Sequence, residues 1–428
     1  MAVVPDAVPG AEPFASAPSA PPPSAPGKLI FGIAFAQFGV LLSLLTPVMV
    51  TLALRVDQIV PAGERAAALG QVLSLGAVLA MIGNPVFGSL SDRTRSRFGR
   101  RRPWLTGGMA VATAGLIVVA LGNSVPVLML GWALAQGGGN AALAAAGAAI
   151  PDLVPPRQQG KVSGIVGMMA SLAMVGGTTL ADAFQSSLAL AFVVPALFGL
   201  AGTVFLAVVI KDRPAVPGAF APYGVREFLR SFWVDPRRHP DFAWNLAGRF
   251  LVYVGIACVT SYQVYFLMDR LGYSQSEVSG KVAVGTVVMV VAVVAGSLLG
   301  GVLSDRTGRR KPYVLGACLL MGVGLVTIAL AGSFRVFLAA MLVFGFGQGL
   351  YLSVDVALAA AVLPNPEESA KDMGVLNIGN SLPQSLVPVI APALLALGGG
   401  ANYGALFLFG ALASVLGAAA VQFIRSVK

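Results

Sequence analysis

Twelve apolar runs divide the chain, each long enough to cross a hydrocarbon core of roughly 30 Å as a single helix. They cover 29–54, 67–91, 104–122, 126–150, 162–185 and 188–210, then 242–267, 278–303, 313–332, 336–361, 372–398 and 403–425. Short polar breaks separate them, except between the sixth and seventh. There, 211–241 carries Lys211, Arg213, Arg226, Arg230, Arg237, Arg238 and the single histidine, His239. The pattern predicts an all-α integral membrane protein with twelve transmembrane helices in two pseudo-symmetric six-helix halves, 28–210 and 242–428, joined by a cytoplasmic linker. Within the linker, 225–233 has the composition of a short amphipathic helix lying on the membrane face, and His239 reads as a solvated loop residue. Residues 1–27 are rich in Pro, Ala and Ser, have no Lys or Arg, and lack the basic start and cleavage site of a signal peptide. They read as a disordered cytoplasmic tail.

The halves repeat. GSLSDRT at 88–94 returns as GVLSDRT at 301–307, and each copy leads into a basic cluster and a proline, GRRRPW at 99–104 and GRRKPY at 308–313. A second echo pairs QQGKVSG at 158–164 with ESAKDMG at 368–374. Two copies of one six-helix unit are a common plan for secondary transporters, with the solute bound near the midplane between them.

Composition agrees with a lipid solvent. The 428 residues are 57% hydrophobic and 11% charged, with a mean hydropathy of +0.83, where soluble proteins carry about 25% charged residues. The net charge of +10 is distributed by loop. Arg55, Arg65, Arg270, Lys281 and Arg335 fall on one side, Arg249 falls inside a span, and the remaining 22 of 28 Lys and Arg share the side of the N-terminus. That asymmetry places both termini in the cytoplasm of a multi-pass cell-membrane protein. With no soluble basic domain, it also argues against a nucleic-acid partner. Cys258 and Cys318 lie in apolar spans and read as small buried hydrophobes. Neither a metal-ligand cluster, a Ser/His pair nor a phosphate-binding loop is present, so no enzyme, metal or cofactor is expected.

The string NPVFGSLSDRTRSRFGRRRPW at 84–104 carries a resemblance. Its Gly-x-x-x-Asp-Arg pattern and following arginines, with the weaker copy at 301–310, resemble the signature of the major facilitator superfamily. The longer string is similar to the glycoside, pentoside and hexuronide cation symporters and to the sucrose carriers. The resemblance implies a gate that latches the cytoplasmic side when the carrier faces outward. It would be built from Gly88, Asp92, Arg93, Gly99, Arg100 and Arg101, and from Gly301, Asp305, Arg306, Gly308, Arg309 and Arg310. Physically, Gly88 and Gly301 would allow a neighbouring helix close, and the aspartates would pair with arginines or cap a facing helix. The arginines also suit lipid phosphates; plain positive-inside anchoring would explain them but not the repeated glycine and aspartate.

Ionisable groups in mid-span cost roughly 2.5–3.5 kcal/mol to insert and are functional candidates. Arg249 in helix 7 and Asp355 in helix 10 lie at similar depth and are expected to neutralise each other, either for coupling or as a purely structural pair. Asp182 lies near the outer end of helix 5. Polar residues recur at helical spacing: Gln136 and Asn140; Asn245, Arg249 and Tyr253; Gln348, Tyr351 and Asp355; Asn377, Asn380 and Gln384. By the resemblance, helices 1, 4, 7 and 10 line the cavity, which adds Gln37 and makes Gln37, Gln136, Asn140, Arg249, Gln348, Tyr351, Asn377, Asn380 and Gln384 the candidate solute-binding set. Polar contacts between helices are the alternative role for any one of them.

Asn84 and Ala80 stand where the sugar–cation symporters carry acids, which removes the charge from that coupling site. Asp182 and Asp355 then become the candidate proton carriers, unless transport is uncoupled. The expected function is alternating-access transport of a small solute, a sugar or glycoside, with a proton as candidate coupling ion and Pro47, Pro85, Pro383 and Pro388 as bending points. A proton-antiporting exporter of drugs or metabolites and a non-transporting membrane sensor remain the alternatives.

Overall fold

The computed structural model describes residues 24–212, 214, 236–362, 369–398 and 401–425. Among these there is no strand. The elements are α1 Gly27–Asp57, α2 Arg65–Arg93, α3 Arg102–Leu121, α4 Val125–Leu153, α5 Pro156–Ala183 and α6 Leu188–Val209, then α7 Pro240–Asp269, α8 Gln275–Thr307, α9 Lys311–Leu330, α10 Phe334–Ala361, α11 Ser369–Ala396 and α12 Tyr403–Gln422.

Local sequence sets the helix starts. Pro103, Pro126, Pro156, Pro240 and Pro312 occupy the first or second positions of α3, α4, α5, α7 and α9, where proline loses no hydrogen bond and its φ is already helical. Ser274 and Glu277 form a reciprocal capping box at the start of α8, and Gly308 ends it with φ 64°. α1 changes to a π-helical turn at Pro47–Thr51 before continuing to Asp57. Proline 47 is one of the expected bending points, and its missing N–H accounts for the altered ladder.

Helices extend beyond the apolar runs by up to six residues. α5 starts at Pro156 rather than 162, because its first turns, with Arg157, Gln158 and Gln159, are polar but still helical. Eleven of the twelve are long and apolar enough to cross a membrane. α4 is long enough at 29 residues, but Gln136, Gly137, Gly138, Gly139 and Asn140 dilute its apolar character.

The helices α1–α6 and α7–α12 form two groups, joined by α2 packing against α11 and α5 against α8. Side chains such as Leu130, Val208, Leu298, Leu330 and Leu412 are exposed, as expected where acyl chains are the solvent. Small residues allow tight crossings: a Cβ on Gly108 would meet the carbonyl of Gly138 on α4, and one on Gly345 would meet that of Met289 on α8, at 2.8 and 2.5 Å. Within the N-terminal group the start of α1, the α2–α3 and α4–α5 junctions and the end of α6 share one end. Ala25 N donates to Gln158, and Asp212 accepts from the amides of Arg101 and Arg102. The Arg93–Arg102 cluster makes this the basic end. Residues 1–23, most of the 211–241 linker with its 225–233 segment, and part of the 368–374 echo lie outside the described residues.

Candidate functional site

α7 and α10 face each other through charge. Arg249 Nη2 lies 2.8 Å from Asp355 Oδ2, and the Tyr351 hydroxyl donates to Asp355 Oδ1 at 3.0 Å. The aspartate is 1% exposed and the arginine 8%. Tyr351 and Asp355 are one helical turn apart, as are Asn245 and Arg249, so each helix presents a polar stripe towards the other. Around the pair, Asn245 Nδ2, Arg249 Nε and Gln348 Oε1 are buried and make no hydrogen bond among the described residues. Two donors and one acceptor are therefore left over beside the ion pair, in which Asp355 Oδ2 has its charge contact but no hydrogen bond.

The N-terminal group supplies uncharged amides. Asn140 Nδ2 donates to the carbonyl and the Oε1 of Gln136, at 2.9 and 3.1 Å. Gln37 on α1 is buried and turned towards Gly147 of α4, its Nε2 3.8 Å from where a Cβ would stand. Buried polar side chains thus come from helices 1, 4, 7 and 10. On α11, Asn380 is half-buried and Gln384 exposed; the side chain of Asn377 lies outside the described residues. The coupling candidates do not converge. Asn84 is exposed on α2, and Asp182 sits at the far end of α5, its carboxylate 3.0 Å from the Cβ position of Gly280 on α8.

At the basic end the first motif copy braces α2, the α2–α3 junction and α4 against one another. Arg101 pairs with Asp92 and with Asp152 of α4, the latter at 3.0 Å, and also donates to Ser91. Arg100 reaches Asp152 at 2.8 Å. Gly99 has φ 101°, and a Cβ there would strike the Asp212 carboxylate. Arg93 donates to Ser89. In the second copy Lys311 donates to the carbonyls of Gln422 and Ile424, while Asp305, Arg306, Gly308 and Arg309 are exposed. The expected close approach at Gly88 and Gly301 is not made here: a Cβ at either position has no neighbour within 4 Å. The glycines' neighbours in this arrangement stand away, so the space they leave is open.

The opposite end is closed across the two groups. Arg65, first residue of α2, pairs with Asp57 of α1 at 2.5 Å and with Asp269 of α7. Tyr403 donates to the other oxygen of Asp269 at 2.5 Å, and the Arg65 guanidinium lies 4.9 Å from the Tyr265 ring centroid. Tyr265 donates to the Ala53 carbonyl at 2.9 Å and Gln275 to that of Leu54 at 3.3 Å. Asp57, Arg65, Asp152, Asp212, Asp269 and Tyr403 were not singled out by sequence reasoning. Spacing along the chain links none of them, and for those at the outer end the sparse charge of that side was the only available signal.

The profile of the Major Facilitator Superfamily matches residues 29–297 and, again, 247–428. An uncharacterized symporter of Synechocystis is 56% identical over 48 residues, 11% of this chain and 9% of that one. The chloramphenicol resistance protein of Pseudomonas aeruginosa is 34% identical over 134 residues, 31% and 30% of the two chains. The cis,cis-muconate transport protein of Acinetobacter baylyi is 28% identical over 191 residues, 44% and 43%. The chain thus matches less than half the length of each of these relatives. In fold it is similar to the nucleoside transporter NupG, with a TM-score of 0.73, 14% identity and 92% and 98% of the chains covered. A bacterial homologue of the human lysosomal transporter Spinster, in an inward-facing, unoccupied conformation, gives 0.62 at 17% identity, with 93% of each chain covered.

Proposed function

The chain belongs to the major facilitator superfamily, and from that premise we propose that it carries a small polyhydroxylated solute, a sugar or glycoside, across the cell membrane by alternating access. The observation that carries this reading is the set of unmatched buried groups. Asn245 Nδ2 and Arg249 Nε are donors and Gln348 Oε1 is an acceptor; a hydroxyl is both and satisfies either. Uncharged amides from Gln37, Gln136 and Asn140 complete a lining without net charge, since Asp355 already neutralises Arg249. Asn377, Asn380 and Gln384 on α11 extend the proposed set.

The termini and the basic end face the cytoplasm, as the distribution of Lys and Arg supports. Exposed Arg95 and Arg97 then lie within reach of lipid phosphates. With the opposite end tied by Arg65, the molecule faces inward. In the outward-facing state the basic end closes, bringing helices against Gly88 and Gly301 and engaging Asp305, Arg306, Arg309 and Arg310. Coupling, where it occurs, runs through Asp355: a proton there releases Arg249, which then turns to the solute. Asp182 and Asn84 lie outside this cluster and are weaker candidates. The match to a chloramphenicol resistance protein keeps a proton-antiporting exporter as the second reading.

Reconstitution into liposomes holding a pH dye, with sugars, glycosides and lipophilic cations added one at a time, tests both. Lumenal acidification on adding a sugar supports proton-coupled uptake. Alkalinisation on adding a cationic drug rejects it in favour of export.

A further inference from the structure

We infer that Arg65 is the gating residue of the outer end, and that the bond broken when the carrier opens outward is Arg65 to Asp269. The inference rests on the alternating-access reading for its biological meaning, but its geometry stands alone. Arg65 belongs to the N-terminal half and Asp269 to the C-terminal half, 204 residues apart. The guanidinium fork has five donors and engages two carboxylates at once. Asp57, in the same half, holds one arm at 2.5 Å; Asp269 takes the other.

Each partner keeps a second partner when the halves separate. Arg65 retains Asp57, and Asp269 retains the Tyr403 hydroxyl, which is also in the C-terminal half. Breaking a buried pair is costly chiefly because it strands a bare charge, and here none is stranded. The side chains are partly hydrated as well, at 10% for Arg65, 18% for Asp57 and 23% for Asp269. The Arg249–Asp355 pair has the opposite design: it lies within one half, and its aspartate is 1% exposed. Separation of the halves therefore breaks the Arg65–Asp269 pair and leaves the Arg249–Asp355 pair untouched.

The surroundings make Arg65 the centre of the seal. Tyr265 lies against its guanidinium and donates to Ala53 across the divide, while Gln275 does the same to Leu54. Both acceptors belong to the last turns of α1, and the Leu54 carbonyl also accepts from the Gln58 amide. Gly70 lets α2 come against the Pro388 carbonyl of α11 further in. These neutral contacts fill the seam; the ion pair is its single charged link across the halves among the described residues.

The test is a distance between the halves, measured without solute. Spin labels at Ser124→Cys and Gly332→Cys, exposed sites at the outer end of either half, report opening by pulsed electron resonance; the native thiols are buried. In otherwise unaltered protein a short distance should dominate. Asp269→Asn and Arg65→Gln should each shift the population to longer distances, and the exchanged pair Arg65→Asp with Asp269→Arg should bring the short distance back. Tyr403→Phe, which leaves the ion pair and removes the partner that Asp269 keeps on opening, guards against a folding failure and should keep the population at the short distance. Unchanged distances in Asp269→Asn, or a shift to longer distances in Tyr403→Phe, would overturn the inference. Because no solute is used, a protein that opens as described but moves no sugar refutes the transport reading alone.

Discussion

Arg249 and Asp355 meet across 2.8 Å in the interior of the C-terminal half, and Tyr351 holds the carboxylate from its other oxygen. Removing one member leaves the other charge buried, which costs about 3–5 kcal/mol, whereas removing both does not. Asp355→Asn is expected to lower the melting temperature in detergent, and adding Arg249→Gln to restore most of it. Solute-dependent proton movement should be absent in both. If the double variant transports with proton coupling, Asp355 has no coupling role.

The two copies of the basic motif are unequal in this conformation. Asp152 accepts from both Arg100 and Arg101, and charge-assisted bonds of this kind contribute about 1.5–3 kcal/mol each before allowance for partial exposure. Asp152→Asn should therefore destabilise the folded protein measurably. Asp305 is exposed, so Asp305→Asn should stay within about 0.5 kcal/mol while slowing transport, if its partners form only on inner closure. Thermal melts beside uptake rates separate the two effects.

Glycines of the same motif should also divide. Gly99 has φ 101° and Asp212 directly over it, so Gly99→Ala should cost at least about 1–2 kcal/mol. Gly88 has open space around it. Gly88→Leu should leave the melting temperature nearly unchanged and yet block turnover, by obstructing the closed basic end. A variant that transports normally would show that no helix approaches Gly88 during the cycle.

Asn140 and Gln136 are bonded to each other and lie on the proposed lining. Asn140→Leu should raise the apparent KM for a sugar by about tenfold or more, the equivalent of roughly 1.4 kcal/mol. Expression and melting should be little changed. An unaltered KM would move the solute away from α4.

Much of the fold was legible because hydropathy and proline report directly on helices: the apolar runs lie within or close to the twelve helices, and Pro103, Pro126, Pro240 and Pro312 mark starts. The Arg249–Asp355 pairing was legible because depth in a membrane follows from residue count along a helix. Polar first turns, as at Arg157–Gln159, were not, since hydropathy is blind to helix outside the lipid. The Arg65–Asp269 link was invisible for a different reason: it joins loop-proximal residues of separate halves, and neither periodicity nor the internal repeat connects them. Asp152 and Asp212 escaped likewise, being partners of a motif rather than part of it. Gly88 and Gly301 read as contact points, and in this conformation the space around both is open.

The most direct measurement is solute counterflow. Liposomes containing the purified protein and a high concentration of one unlabelled sugar or glycoside are diluted into a trace of the same compound radiolabelled, with no ion gradient. The account predicts a transient overshoot of internal label for at least one polyhydroxylated solute, reduced in Asn140→Leu. An overshoot with a lipophilic cation and with none of the sugars, glycosides or polyols would contradict it.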